Sequence, residues 1–316
     1  MKKAAALLVL GFGLLSSAPS ALAANALLGI AGDTNAFIFG NATTNGGHAQ
    51  GSIVVGGNWG GTSYEARQQS TSAAPALGTN TSVYIGGNDS ITGDKGSRFI
   101  RTTSGNVVIS GTYTAANVDA QNGGTVSKAT YDLAPTIANL QKLSSDIALL
   151  GGTAITINDP NNVKVNLGGI AGNVKVLTID ASLLTGNKTL DFQNSTSSDT
   201  VIINVTGTGS VNWGWSTNFD ATRILWNFAD TTSLAVGSRS FTGTILAPKA
   251  NVTQSQNIDG TLIAKSWTNN NSVELHNFAF KGTIPLVSAP EPAGMMVTGG
   301  FLGLALFSRR RQQARL

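Results

Sequence analysis

The sequence predicts a mainly β chain wound as a solenoid, with one amphipathic α-helix packed alongside and a hydrophobic helix at the C-terminus. Three observations predict it. Ser52-Ile53-Val54-Val55-Gly56-Gly57-Asn58 returns thirty residues later as Ser82-Val83-Tyr84-Ile85-Gly86-Gly87-Asn88. Gly243-Thr244-Ile245-Leu246-Ala247 returns seventeen residues later as Gly260-Thr261-Leu262-Ile263-Ala264. Strand motifs recurring at a short step are rungs of a coil, each burying its apolar side against the next. A β-sandwich also needs many short strands, but it does not need the same motif twice. The third observation is a single helix-period segment among these strands.

In chain order, the first element is an address. Residues 1–23 carry Lys2-Lys3, an apolar stretch from Ala4 to Leu15 and a small-x-small site at Ala21-Leu22-Ala23, the pattern of a signal peptide cleaved after Ala23. The strand candidates follow: Ser52 to Asn58, Ser82 to Asn88, Gly105 to Gly111, Val163 to Leu167, Val174 to Ile179 and Val201 to Thr206. Each is rich in Val and Ile and bounded by Gly or Asn, as strands between tight turns are. Between them, Leu133, Ile137, Leu140, Leu143, Ile147 and Leu150 step by three or four, the stripe of a one-sided helix. Asp132 can cap its start, Pro135 fits its first turn and Gly151-Gly152 can end it. Such a helix is expected along the outside of the coil, sealing one flank.

The chain ends in a second address. Residues 286–289 read as a linker. Residues 290–316 open on Pro290-Glu291-Pro292, continue in an apolar segment over about 293–308 and close on Arg309-Arg310-Arg311. The apolar segment is short of the ~20 residues that span a bilayer comfortably, though snorkelling arginines extend it. The arginines keep to the cytoplasmic side, which leaves residues 24–289 outside.

The two addresses hold Lys2, Lys3, Arg309, Arg310, Arg311 and Arg315 against the single acid Glu291, so the formal charge of +4 becomes −1 for residues 24–289. The high pI is therefore no argument for nucleic acid as a partner. Charged residues make up 11% of the chain, against ~25% in ordinary globular domains, and there are 38 glycines. The surface is neutral and hydroxyl-rich. With no cysteine, an exported chain must be held by burial and backbone hydrogen bonds.

No motif for catalysis stands out: there is no Gly-x-Ser-x-Gly elbow, phosphate loop or His-Glu-x-x-His. We assign no catalytic residue, no cofactor and no metal. Glu274 and His276 lie two apart and would share a strand face, where an acid/base pair is conceivable beside a purely structural one. Asp180, Asp191, Asp199, Asp220, Asp230 and Asp259 are scattered and mostly beside turn residues, as backbone-capping aspartates are. Asn158-Asp159-Pro160-Asn161-Asn162 could hold calcium but lacks a bidentate acid. Trp213-Gly214-Trp215 puts two indoles on one side of an extended segment, either as a stacking platform for sugar rings or as a plug in the coil. Thr206-x-Thr208 and Thr242-x-Thr244 offer hydroxyl and methyl pairs of the kind an ice surface needs, without regular recurrence.

Arg223 to Phe228, Gly243 to Pro248, Gly260 to Ala264, Glu274-Leu275-His276, Gly282 to Pro285 and, near the start, Asn35 to Gly40 with Ile53 to Asn58 together resemble the choice-of-anchor A family. The paired Gly-Thr rungs also resemble ice-binding-type adhesin domains. That resemblance implies an exported, adhesive, right-handed β-helix over residues 24–285 with one flanking helix. Residues 290–316 resemble a PEP-CTERM sorting tail of Gram-negative, exopolysaccharide-producing bacteria. This implies signal peptidase and exosortase as processing partners, with passage through the inner membrane. The expected function is a non-enzymatic adhesin acting at the cell surface or in the biofilm matrix, on exopolysaccharide or neighbouring cells. The alternatives are a carbohydrate-active β-helix enzyme and an ice-binding protein.

Overall fold

The computed structural model describes residues 21–23, 27–67, 77, 80–91 and 100–285. Most of the expected signal peptide, the 286–289 linker and the tail with Pro290, Glu291, Pro292, the 293–308 span and Arg309, Arg310, Arg311 lie outside them. Among the described residues no helix is long and apolar enough to cross a membrane.

The strands stack in parallel on three faces. The first face runs, in spatial order, through Val126–Ser127, Asn106–Ile109, Thr81–Ile85, Ile53–Val55, Ala36–Ile38, the N-terminal parts of Leu262–Asn269 and Thr244–Gln254, then Ile224–Asn227, Thr200–Thr206, Val174–Asp180 and Thr153–Ala154. The second is built from Gly209–Trp213, Thr231–Val236, the C-terminal parts of those two long strands, Ala42–Thr44, Trp59–Gly61 and Asp89–Ile91. Three short sheets make the third: Asn162–Asn166 with Lys188–Gln193 and Trp215–Thr217, Phe241–Thr242 with Ile258–Asp259 and Leu275–His276, and Tyr64–Ala66 with Ile100–Thr102 and Val118–Ala120. The exception to parallel pairing is Ala21–Ala23, which runs antiparallel to Thr283–Pro285.

The order along the first face is not the order of the sequence. Ala36–Ile38 lies in the middle, paired with Ile53–Val55 on one side and Leu262–Ala264 on the other. The chain starts mid-coil and winds to one end. Helix α1, Ala134–Ala148, separates these rungs from Thr153–Ala154 at the opposite end, and later rungs wind back until the last meets the first. The closing seam is pinned by Asn35, whose Nδ2 donates to the carbonyls of Gly260 at 2.8 Å and His276 at 3.0 Å while its Oδ1 accepts from the Gly51 amide at 2.9 Å.

Alternation of side chains explains the Ile-Val-Val motif. In a strand, neighbours point to opposite faces, so Ile53 and Val55 enter the interior while Val54 points outward. The same holds for Val108, Tyr84, Phe37, Ile263 and Leu246, which form one outward apolar row with Val54 that Asn227 and Asn204 continue, and for Leu225 and Ile202 at the next outward position. The stripe of α1 covers that row: Leu140 and Ile147 are 1% exposed, and Leu133 and Leu143 are 7%. Burying an aliphatic side chain of this kind contributes about 1.5–3 kcal/mol, so the row and the stripe stabilise each other. Two polar side chains fix the helix in place. Asn227 Nδ2 donates to the Ser144 carbonyl at 2.8 Å and to Asn204 Oδ1 at 2.9 Å, and Asn204 Nδ2 donates to the Ile147 carbonyl at 2.8 Å. The Ala134 amide donates to Asp132 Oδ1 at 3.0 Å, and Pro135 sits in the first turn.

The Gly-Gly-Asn ending of the repeated motif is a corner. A Cβ on Gly86 would lie 2.3 Å from the Gly56 carbonyl oxygen of the rung beside it, so only glycine lets successive corners stack. The asparagines continue the stack: the Asn58 amide donates to Asn41 Oδ1, Asn88 to Asn58 Oδ1 and Thr112 to Asn88 Oδ1, all at 2.8–2.9 Å.

Candidate functional site

Among the described residues no element covers the second face. Its inward row is apolar over six successive rungs: Val211, Leu234, Val252, Trp267, Ala42 and Trp59 are buried. Its outward positions are small and uncharged. One row reads Asn212, Ala235, Thr253, Thr268, Thr43, Gly60 and Ser90 across adjacent rungs, and a second reads Ser210, Ser233, Asn251 and Ser266. Rungs sit ~4.8 Å apart, so Thr253, Thr268 and Thr43 form a regular file of hydroxyl and methyl groups. Ser266 Oγ donates to Asn251 Oδ1 at 2.7 Å within the second row. Side chains this short leave a surface of low relief. Periodicity alone missed this row because Thr43, which extends it, lies more than two hundred positions from Thr253 and Thr268.

The third face concentrates charge. His276 Nδ1 lies 2.5 Å from Asp259 Oδ1 and its Nε2 lies 2.8 Å from Glu274 Oε2, which is also 3.3 Å from His48 Nε2. Partial burial opposes protonation of His276, but hydrogen bonds to Glu274 and Asp259, and the charges of both carboxylates, outweigh it and raise the imidazole pKa above its ordinary value. Farther along, Glu65 pairs in register with Arg101, and Arg101 with Asp119, whose Oδ2 accepts from Arg101 Nε at 3.1 Å. The Glu274–His276 proximity expected from their spacing is present. Asp259 joins it from the neighbouring strand, in register with His276, and His48 joins only because the seam brings the first and last coils together. With both ring nitrogens engaged by carboxylates, His276 offers no free position for a substrate proton.

Trp213 and Trp215 require a correction. Both are inside the coil, 1% and 0% exposed, so they present no stacking platform to a ligand. Trp213 ends a strand of the second face and Trp215 opens one of the third, and both point inward, where Trp213 lies 4.8 Å from Trp226 and 4.2 Å from Phe241, ring centre to ring centre. Gly214 between them serves the coil, since a Cβ there would sit 2.7 Å from the Gly186 carbonyl oxygen. Thr242-x-Thr244 is corrected too, because Thr244 is fully buried. Thr206 and Thr208 are exposed but lie outside the outward rows of the second face.

Asp180 and Asp220 accept from the amides of Ser182 and Thr222 at 2.8 and 2.9 Å, capping short turns, and Asp159 accepts from Asn161 and Asn162. Asp191 holds the Asn218 amide group at 2.8 Å, Asp199 accepts from the Thr196 amide, and Asp230 pairs with Lys249. Of the six scattered aspartates, Asp259 is the one that enters the charged cluster. Among the described residues no group of three or more His, Asp or Glu is arranged to hold a metal ion. Ala21 and Ala23, the expected cleavage-site residues, lie in the strand paired with Thr283–Pro285.

The profile of a family described as an ice-binding-like adhesive domain matches residues 27–277. No curated protein matches the chain. Solved structures to which it is similar include an ice-binding protein from an Antarctic biological consortium, at 14% identity over 85% of this chain and 96% of that one with a TM-score of 0.38. Another is an ice-binding protein from the Antarctic ascomycete Antarctomyces psychrotrophicus, at 15% identity over 82% and 98% with a TM-score of 0.38. A third is an ice-binding protein domain from Shewanella frigidimarina, at 15% identity over 82% and 97% with a TM-score of 0.33.

Proposed function

This chain belongs to the family of ice-binding-like adhesive domains, and on that premise we propose that it is a non-enzymatic adhesin whose second face makes multivalent contact with an extended, hydroxylated polymer. The observation that carries the reading is the uncovered face itself, with rows of Ser, Thr, Asn, Ala and Gly on a rigid parallel sheet. Each contact is weak, but rungs at fixed spacing engage a polymer together, so the effective concentration of each later contact is high. Neutrality of the face avoids repulsion at close approach. The test is co-sedimentation of the full chain with insoluble matrix polysaccharide, beside a Thr268→Tyr/Thr253→Tyr variant. Saturable binding lost in the variant supports the reading, and binding unchanged by two bulky residues sinks it.

A second reading rests on the Thr253, Thr268 and Thr43 file, whose paired hydroxyl and methyl groups suit ordered water as well as sugar. Thermal hysteresis of the full chain, abolished by Thr268→Tyr, is its signature.

In keeping with the resemblance to choice-of-anchor A proteins, the coil is read as a right-handed β-helix delivered outside the cell. Signal peptidase then cleaves after Ala23, and exosortase processes the Pro290-Glu291-Pro292 tail at the inner membrane before release to the cell surface or biofilm matrix. Sequencing the mature N-terminus checks the first step, with Ala24 expected. Loss of surface location on deleting residues 290–316 checks the second.

A further inference from the structure

A groove of about 950 Å³ lies where the corner between the first and second faces meets helix α1. Ile137 and Gln141 of the helix form one wall, and Phe39 and Pro248 add apolar surface from the coil. Thr43, Ser266 and Thr268 line the groove and also belong to the outward rows of the second face, so the groove opens onto that face.

Two lysines line it. Lys249 Nζ lies 2.7 Å from Asp230 Oδ1, but both side chains are 57% exposed, and such a pair holds its partner weakly. Lys265 is exposed, and among the described residues it has no carboxylate within ion-pair distance. In a chain this poor in charge, an ammonium group with no carboxylate partner among the described residues, set between apolar walls and a row of hydroxyls, is a specific chemical feature. Sugar rings match the walls and hydroxyls, and an acid group on the sugar matches the ammonium.

Building on the adhesive reading above, we infer that the groove binds an acidic, uronate-type polysaccharide, with Lys265 taking a carboxylate as the polymer passes from the second face onto the corner. Residues 24–289 carry a net charge of −1, so the domain has no broad positive field to attract a polyanion. Selection is local, at Lys265, with Lys249 as a second cation able to exchange Asp230 for the ligand.

The experiment measures affinity of the full chain for polygalacturonate and for the same polymer with its carboxyl groups reduced, at low salt. Native polymer should bind about tenfold more tightly than reduced polymer. Lys265→Gln should abolish the difference and leave affinity for reduced polymer unchanged. Lys164→Gln, on the exposed side of the third face, should leave the difference intact. Circular dichroism of Lys265→Gln should match the parent, because the exposed side chain has no carboxylate partner among the described residues. Equal affinity for the two polymers, or a preference that survives Lys265→Gln, overturns the assignment while the adhesive face stands if Thr268→Tyr still removes binding. Absence of binding to both polymers overturns the assignment, and the co-sedimentation test then decides the adhesive reading separately.

Discussion

The first and second faces of the coil share one interior and differ in what they show outside. Both turn apolar side chains inward, as with Ile53 and Val55 on the first and Val252 and Trp267 on the second. Outward, the first face shows Phe37, Val54, Tyr84, Ile202 and Leu225, all buried beneath α1 and neighbouring segments. The second shows threonine, serine, asparagine and glycine, with no element of the described residues over it. In a solenoid the inward rows hold the coil together whichever face is considered. The outward rows are free to vary, and their polarity decides whether a face is spent on stability or left for contact. The largest expected break of this comparison is therefore a paired substitution. Phe37→Ala should cost about 3–5 kcal/mol in urea unfolding, because it opens a cavity between coil and cover. Thr268→Ala should stay within about 0.5 kcal/mol of the parent. Similar costs at both positions would erase the distinction between a structural and a presenting face.

Polar residues sharpen the same contrast at a smaller scale. Asn227 is fully buried and joins strand, helix and Asn204, so Asn227→Ala should cost about 1–3 kcal/mol by orphaning the Ser144 hydroxyl and Asn204 Oδ1. Hydrogen exchange should show the loss first in α1. Asn251, an exposed asparagine on the second face, should be nearly neutral as alanine. Unequal protection of the helix in the two variants is the readout.

The third face adds a pH dependence in the range where histidine titrates. Asp259 on the neighbouring strand, Glu274 on its own strand and His48 beyond Glu274 surround His276, whose pKa is raised in the folded chain. The folded state then binds that proton more tightly than the unfolded chain does. Its contribution is complete below the unfolded histidine pKa and is lost as pH rises through the higher folded value. Melting temperature should fall across that interval in the parent, and the fall should shrink in His276→Gln. A parent whose melting is flat there would show the cluster carries no linkage. The smallest effect belongs to the groove: Lys249→Gln and Lys265→Gln should each move stability by less than about 0.5 kcal/mol, as exposed lysines do. A larger change would mean the corner depends on them structurally.

Much of the architecture was legible in residue order. The helix stripe from Leu133 to Leu150 needed only its spacing, because helical period is a local property. The Ile-Val-Val-Gly-Gly-Asn repeat marked a coil, and its glycines turned out to be corners too crowded for a Cβ. The site was less legible. Trp213 and Trp215 read as two positions on one side of a strand, but the chain passes at Gly214 from the second face to the third, and that both indoles point inward depends on this corner and on neighbouring rungs. The charged cluster needed His48 beside Glu274, and the threonine file needed Thr43 beside Thr268. Nothing in the spacing of those residues announces either contact.

By itself the sequence determined the rungs, the helix and its buried stripe, the neutral composition and the segregation of basic charge into the two ends. These depend on short-range periodicity and residue type. Only the tertiary structure decided that the chain begins in the middle of its own coil and that the last rung closes on the first. Register across that seam is set by backbone pairing between Ala36–Ile38 and Leu262–Ala264 and by Asn35, contacts between residues more than two hundred positions apart. Because a parallel strand accepts any partner that satisfies its hydrogen bonds and buries its inward side, local pattern specifies a rung without specifying its neighbour. The neighbour is chosen by packing, and the outward rows of the second face and the groove exist only once that choice is made.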